Sequence, residues 1–352
     1  MNSEDIKKEN NFGFLRLFFA VLVVISHSPE MIDGNRSREI LTSIFGTMSF
    51  GEVAVDGFFL ISGYLITKSF EKRQSTVVYF VKRILRIVPG YLVCFWTCVL
   101  LIAPFVGGKL ELWTIKYQFL QTLFMLAPDV PGVFHGQPYP VLNGSLWTIA
   151  YEFKCYLLTA ILGLIGAYQY KHRLLLVPCV AALLILSAMH ILDGHSLVGN
   201  HFIGNPASFL RFFGIYGVGM TFYLFRDRVK LTNKGAAMAA VILISLFFSQ
   251  HLAEAAFAIC GGYLIFWFAF NVRAPLLSRI GSRTDISYGL YLYAWPIQSL
   301  VIWTLGNVGP WFLCGITGVL AGALAYASWI FVEGPFLRLA NRNVSVKSLL
   351  PS

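Results

Sequence analysis

Apolar residues gather into long runs parted by short, mostly basic connections. The runs fall at about 13–29, 51–67, 87–106, 144–166, 173–192, 206–225, 235–251, 253–271, 286–305 and 309–332. A helix needs roughly 20 apolar residues to cross a hydrocarbon layer, so the pattern predicts about ten spanning helices. The runs 235–251 and 253–271 are nearly continuous and hinge at Leu252–Ala253–Glu254. Joining them into one helix would break the charge pattern set out below. The expected fold class is all-α: a polytopic membrane helix bundle. Its membrane domain takes in 12–340, with a short segment 1–11 before it and a tail 341–352 after it.

Composition excludes the soluble alternatives. Of the 352 residues, 57% are apolar and 12% charged, against about 45–50% and 25% in soluble domains. Mean hydropathy is +0.68. A formal charge of +10 would suggest nucleic acid in a soluble protein. Here the basic residues sit in the connections, where they report topology, so no nucleic-acid partner is expected. With the N-terminus in the cytoplasm, inner segments take 20 of the 27 basic residues and outer segments four: Arg36, Arg38, Lys109 and Lys116. The other three, Arg16, Lys154 and Arg211, lie within runs. Basic residues concentrate on the cytoplasmic side, so both termini are expected there. The first run is not followed by a small-residue cleavage site and is expected to remain as a span.

The longest connection, 107–143, falls outside on this reading. Its stretch 112–126 suits a helix lying along the interface, and a Pro- and Gly-rich turn segment follows. The second sizeable outer loop is 193–206. Six cysteines, Cys94, Cys98, Cys155, Cys179, Cys260 and Cys314, all lie in apolar stretches without CxxC or zinc spacing. They read as packing residues, and no metal site is expected.

Ionisable groups inside a bilayer are costly and mark candidate functional sites. The first run holds Arg16 and His27, 11 residues or about 16 Å apart along a helix. Imidazole suits general-base work near neutral pH; the plainer reading of His27 is a polar residue ending a helix before Pro29. Asp56 lies about one turn into the second run, at a depth like that of His27. It can orient an imidazole, or simply favour a helix N-terminus. Arg83 and Arg86 are three apart and share a helix face. They can fork onto phosphate or serve as a topological anchor against anionic membrane lipid. Glu152 lies roughly 12 Å into the fourth run and needs a partner, with Arg16 and Arg211 as the candidates. Glu333 sits where a surface salt bridge to the cytoplasmic arginines is expected. His195 and His201 fall in the second outer loop. None of the histidines has metal-ligand spacing with a second good ligand.

Several stretches, taken in order, resemble the acyltransferase-3 family of integral membrane proteins. They are Arg16-Leu17-Phe18-Phe19-Ala20 through Ser26-His27, Val55-Asp56-Gly57-Phe58-Phe59-Leu60-Ile61-Ser62-Gly63-Tyr64-Leu65-Ile66, and Lys82-Arg83-Ile84-Leu85-Arg86-Ile87-Val88-Pro89. Ser145-Leu146-Trp147 through Glu152, Ser287-Tyr288-Gly289-Leu290-Tyr291-Leu292-Tyr293 and Val332-Glu333-Gly334-Pro335-Phe336 complete the set. The resemblance covers about 12–340. It implies transfer of an acyl group, usually acetyl, from cytoplasmic acyl-CoA to a hydroxyl of a bacterial surface glycan or its lipid-linked precursor. It implies a place in the bacterial plasma membrane, with polysaccharide-assembly proteins as possible partners. His27 is then catalytic, with Arg16, Arg83 and Arg86 as its functional partners. One departure stands out: members often have histidine before the Trp-Pro pair of the ninth helix, and Ala294 stands there.

These readings combine into one expectation. Arg83 and Arg86 hold the CoA phosphates, and Arg16 guides the pantetheine arm. His27 takes the proton of the sugar hydroxyl or takes the acyl group itself. Asp56 orients it, and Glu152 completes the candidate catalytic set. Asn143, Ser145 and Trp147 bind the oxyanion or the sugar. The rival class is a transporter of a glycan or lipid intermediate, which inverted repeats would favour; the sequence has no convincing internal repeat.

Overall fold

The computed structural model describes residues 10–73, 75–190, 192, 204–306 and 308–347, with side chains as far as 340. Lys7, Lys8, His195, His201, most of the second outer loop and the side chains of the tail lie outside the described residues. Every regular element among the described residues is a helix, with no strand. The elements that shape the site are α1 (Phe12–Asp33), α2 (Ile40–Phe45), α3 (Phe50–Glu71), α4 (Thr76–Phe105), α5 (Leu112–Leu123) and α6 (Trp147–Leu164). They continue as α7 (Arg173–Ala188), α8 (Pro206–Leu224), α9 (Asn233–Leu246), α10 (Ala253–Asn271), α11 (Pro275–Arg279) and α12 (Ser287–Leu305). The last, α13, begins as Pro310–Ser328 and passes through a π turn, Trp329–Glu333, into Gly334–Lys347.

Five helices are long and apolar enough to cross a membrane: α1, α3, α4, α10 and the Pro310–Ala340 part of α13. The other apolar runs are helical too, but α7 and α9 are short. The remaining three are interrupted by polar groups: Glu152 and Lys154 in α6, Arg211 in α8, and a Tyr-, Trp- and Gln-bearing sequence in α12. α5 falls where an interfacial helix was expected.

Local chemistry fixes the helix ends. Ser49 and Glu52 form a reciprocal capping box at the start of α3, satisfying two backbone donors that the first turn leaves open. α1 ends at Gly34 with φ 77°, a left-handed cap that glycine adopts without a Cβ penalty. At its other end, Asn11 donates to the carbonyls of Phe268 (3.2 Å) and Val272 (2.8 Å). That ties the start of α1 to the end of α10.

The bundle is built around α3. It packs against α1 on one side and α8 on the other, while α12 packs against α1 and α13. Glycine makes the α3–α8 contact close. A Cβ on Gly63 would lie 2.1 Å from the carbonyl oxygen of Tyr216, and one on Gly219 would lie 2.1 Å from that of Leu60. Small residues let helix backbones approach in this way where lipid removes the usual hydrophobic drive. Large apolar side chains such as Leu101, Phe105, Val319 and Phe331 point outward and are exposed, as expected of a surface that meets hydrocarbon.

Candidate active site

The site comprises a basic cavity, a histidine of α1, and a separate buried ion cluster. The basic cavity holds about 340 Å³ and is lined by Arg16 of α1, by Ser62 of α3, by Lys82, Arg83 and Arg86 of α4, by Thr148, Glu152 and Tyr156 of α6, and by Tyr288 and Tyr291 of α12. Arg16 and Arg86 converge on a single carboxylate oxygen, Oδ2 of Asp285, at 3.0 and 2.8 Å. The other oxygen accepts from the backbone N–H and hydroxyl of Ser287 at 3.3 and 2.5 Å. Burial works against the Asp285 charge, but Arg86 and then Arg16 outweigh it and hold this carboxyl well below the usual carboxylate range.

Arg83 is treated differently. Its one hydrogen bond is a 3.5 Å contact to the hydroxyl of Ser69, and no carboxylate pairs with it among the described residues. The Nε–H groups of Arg16 and Arg83 are buried without a partner. Guanidinium offers donors and no acceptor, so these groups call for an anion. Glu152 does not supply it. Its Oε1 accepts from Tyr156 (2.5 Å) and Ser62 (3.2 Å), so its partners are hydroxyls, and neither Arg16 nor Arg211 is bonded to it. Glu333 is buried, and its Oε1 accepts from Ser328 at 2.9 Å. The surface salt bridge expected of it does not form.

His27 stands against Trp295, one helical turn on from Tyr291, which lines the cavity and whose hydroxyl bonds that of Thr148 at 2.7 Å. Its Nδ1 lies 3.6 Å from Glu30 Oε2, and Glu30 Oε1 accepts from the Tyr139 hydroxyl at 2.8 Å. Its ring stands edge-on to Trp295, with centroids 4.9 Å apart. The carboxylate that faces His27 is therefore Glu30, not Asp56. Glu30 follows His27 by three positions and shares its helix face, a signal present in the sequence. Asp285, also unforeseen, was marked only by a carboxylate two residues before the first serine of α12.

Asp56 turns the other way, to α8. Arg211 reaches both of its oxygens at 3.0 Å, Glu52 at 3.5 Å and Glu254 at 3.4 Å, and Arg36 also pairs with Glu52 at 2.5 Å. A second cavity, about 430 Å³, opens beside this cluster and is lined by Trp147, Arg211, Glu52 and Glu254. Of the three residues expected to meet oxyanion or sugar, Trp147 therefore belongs to a different cavity. Asn143 is committed to structure: it donates to the Leu292 carbonyl at 2.8 Å and accepts from the Ser145 N–H at 3.0 Å. Ser145 is buried with a free hydroxyl, and its carbonyl accepts from Tyr291 at 2.9 Å. Among the described residues no group of His, Cys, Asp and Glu is placed to hold a metal.

The chain matches the acyltransferase-3 family model, described as an acyltransferase domain, over residues 9–332. It is 30% identical to nodulation protein 10 of Rhizobium leguminosarum bv. viciae, covering 96% of each chain. It is 27% identical to an O-acetyl transferase of Shigella phage Sf6, covering 96% of this chain and 99% of that one. No solved structure matches it.

Proposed function

This chain belongs to the acyltransferase-3 family, and from that premise we propose that it is a membrane O-acyltransferase using acyl-CoA, with acetyl as the group moved. The acceptor is a hydroxyl of a surface or exported polysaccharide or of its lipid-linked precursor. The enzyme spans the bacterial plasma membrane about ten times, with both termini and the basic cavity facing the cytoplasm. The observation that carries this reading is the surplus of buried guanidinium donors in the basic cavity. Arg83 lacks a carboxylate, and Arg16 and Arg83 keep unpartnered Nε–H groups. A fork of fixed donors matches phosphate, and CoA brings phosphates at one end and a thioester at the other. Lys82, Arg83, Thr148 and Tyr291 all line the cavity, and Trp295, one helical turn after Tyr291, touches His27, so a donor with its phosphates on the arginines and its thioester at Tyr291 brings the acyl group towards His27.

Acyl transfer then follows from what the side chains can do. His27 takes the proton of the acceptor hydroxyl, with Glu30 supporting the charge that develops on the ring. Tyr139 holds Glu30 in place. Asp285 aims Arg16 and Arg86 while leaving Arg83 to the donor. The test is a titration of purified protein with acetyl-CoA and with acetyl-pantetheine, which carries the thioester but no phosphate. Acetyl-CoA should bind at least 100-fold more tightly. Equal affinities would overturn the assignment of the basic cavity to the CoA phosphates.

A further inference from the structure

We propose that the indole N–H of Trp295 is the donor that receives the acyl carbonyl oxygen as it becomes an oxyanion beside His27. This rests on the reading that acyl transfer takes place at His27.

Trp295 is 7% exposed, and its Nε1 has no hydrogen-bond partner among the described residues. An indole nitrogen can only donate, and buried donors are rarely left unmatched. This donor stands against the candidate base, the two rings meeting edge-on at 4.9 Å and 75°. The chain ahead of α6 also presses on the indole. A Cβ on Gly144 would lie 2.6 Å from Cε2 and Cζ2, and Cε2 is bonded to Nε1. The next residue, Ser145, brings a buried hydroxyl that also has no partner. Asn143 holds this stretch to the carbonyl of Leu292, three residues before Trp295. The stretch that carries Ser145 is thus held by a fixed hydrogen bond to the helix that sets Trp295 against His27. Tyr291 lies one helical turn before Trp295 and lines the basic cavity, so a thioester coming through that cavity arrives beside the indole.

The step balances as follows. The acceptor hydroxyl oxygen bonds to the thioester carbon as its proton passes to His27. The carbonyl π pair moves onto oxygen, where the Trp295 N–H, with Ser145 beside it, meets the new charge. Collapse restores the C=O bond and breaks the C–S bond, and the departing thiolate takes the proton back from the imidazolium. Donors held in place before the charge develops are the main source of such stabilisation.

Trp295→Phe removes the N–H and keeps an aromatic ring against His27 and Gly144. Turnover in proteoliposomes should fall about 100-fold, the loss usual for one oxyanion donor, while acetyl-CoA affinity stays within twofold of wild type. On wild-type protein, resonance Raman bands of the indole N–H should shift on binding the ketone analogue of acetyl-CoA, in which methylene replaces the thioester sulfur. That shift should be absent from Trp295→Phe. Unchanged turnover in Trp295→Phe overturns the proposal, and so does a wild-type indole band that ignores the analogue. His27→Ala separates this failure from that of the functional reading. An active His27→Ala protein overturns both, whereas an inactive one beside a fully active Trp295→Phe overturns only the oxyanion role.

Discussion

Two clusters of buried charge lie in this bundle, and they are balanced in opposite senses. Around Arg211 three carboxylates, Asp56, Glu52 and Glu254, face one guanidinium, with Arg36 adding a second on Glu52. Around Asp285 one carboxylate oxygen is shared by two arginines, and Arg83 beside them has none. Where every charged group has a partner of opposite sign, the pairs join helices, here α3 to α8 and α10. A surplus of cationic donors opening into a cavity leaves work for an anion that comes and goes. Buried charge therefore does not by itself mark a ligand site. A charged side chain with a buried donor and no partner of opposite sign, as Arg83 is among the described residues, does.

The largest expected effect tests the closed cluster. Arg211→Leu leaves Asp56, fully buried, without a counter-ion, and breaking a buried pair in this way costs about 3–5 kcal/mol. Folded yield and thermal midpoint in detergent should fall sharply. Acetyl-CoA affinity in the fraction that remains folded should be unchanged. A stable Arg211→Leu protein with weakened donor binding would reverse the roles given to the two clusters.

The second effect is smaller and opposite in kind. Arg83→Lys keeps the positive charge and the membrane orientation it favours but lacks the forked donor set. Hydrogen bonds to charged groups are worth about 1.5–3 kcal/mol, and each 1.4 kcal/mol is a factor of about ten. Acetyl-CoA affinity should drop at least tenfold, with the thermal midpoint unmoved because no carboxylate depends on Arg83. Equal affinities would leave Arg83 as a topological anchor and remove the contrast between the clusters.

Much of this arrangement was legible along the chain, and the gaps have physical causes. The period of apolar runs located the helices because burial and lipid contact both demand it. The apolar run of α4 begins only at 87, whereas the helix begins at Thr76: Lys82, Arg83 and Arg86 break the apolar signal, though the face expected to be shared by Arg83 and Arg86 is helical. Counting depth by the fixed rise per residue put Asp56 level with His27, but Gly51 packs at Ser26 and Gly57 at Phe19, so Asp56 lies deeper along α3 than His27 does along α1. Direction around the axis was not readable either, and α8 rather than α1 turned out to face Asp56. Partners from distant segments, such as Asp285 for Arg16 and Arg86, depend on packing that no local pattern encodes. Glu30 was within reach of sequence reasoning, being on the helix face of His27.

The smallest expected effect concerns pH, and it asks whether the shared carboxylate is as firmly held as the geometry implies. Asp285 lies in the connection before α12, with its carboxyl held well below the usual range by Arg86 and Arg16 against the opposing effect of burial. A carboxyl whose folded pKa is depressed contributes stability that is fully present above its unfolded value, near 3.9 for aspartate. That contribution is lost only as pH falls through the lower folded value. The gap in thermal midpoint between wild type and Asp285→Asn should therefore stay constant from pH 5 to 8 at fixed ionic strength. It should narrow only below about pH 4. A gap that closed between pH 7 and 5 would mean the carboxyl takes up its proton above the ordinary range. Arg16 and Arg86 would then not be clasped in the free enzyme, and the surplus of cations in the basic cavity would be larger than the one carried by Arg83.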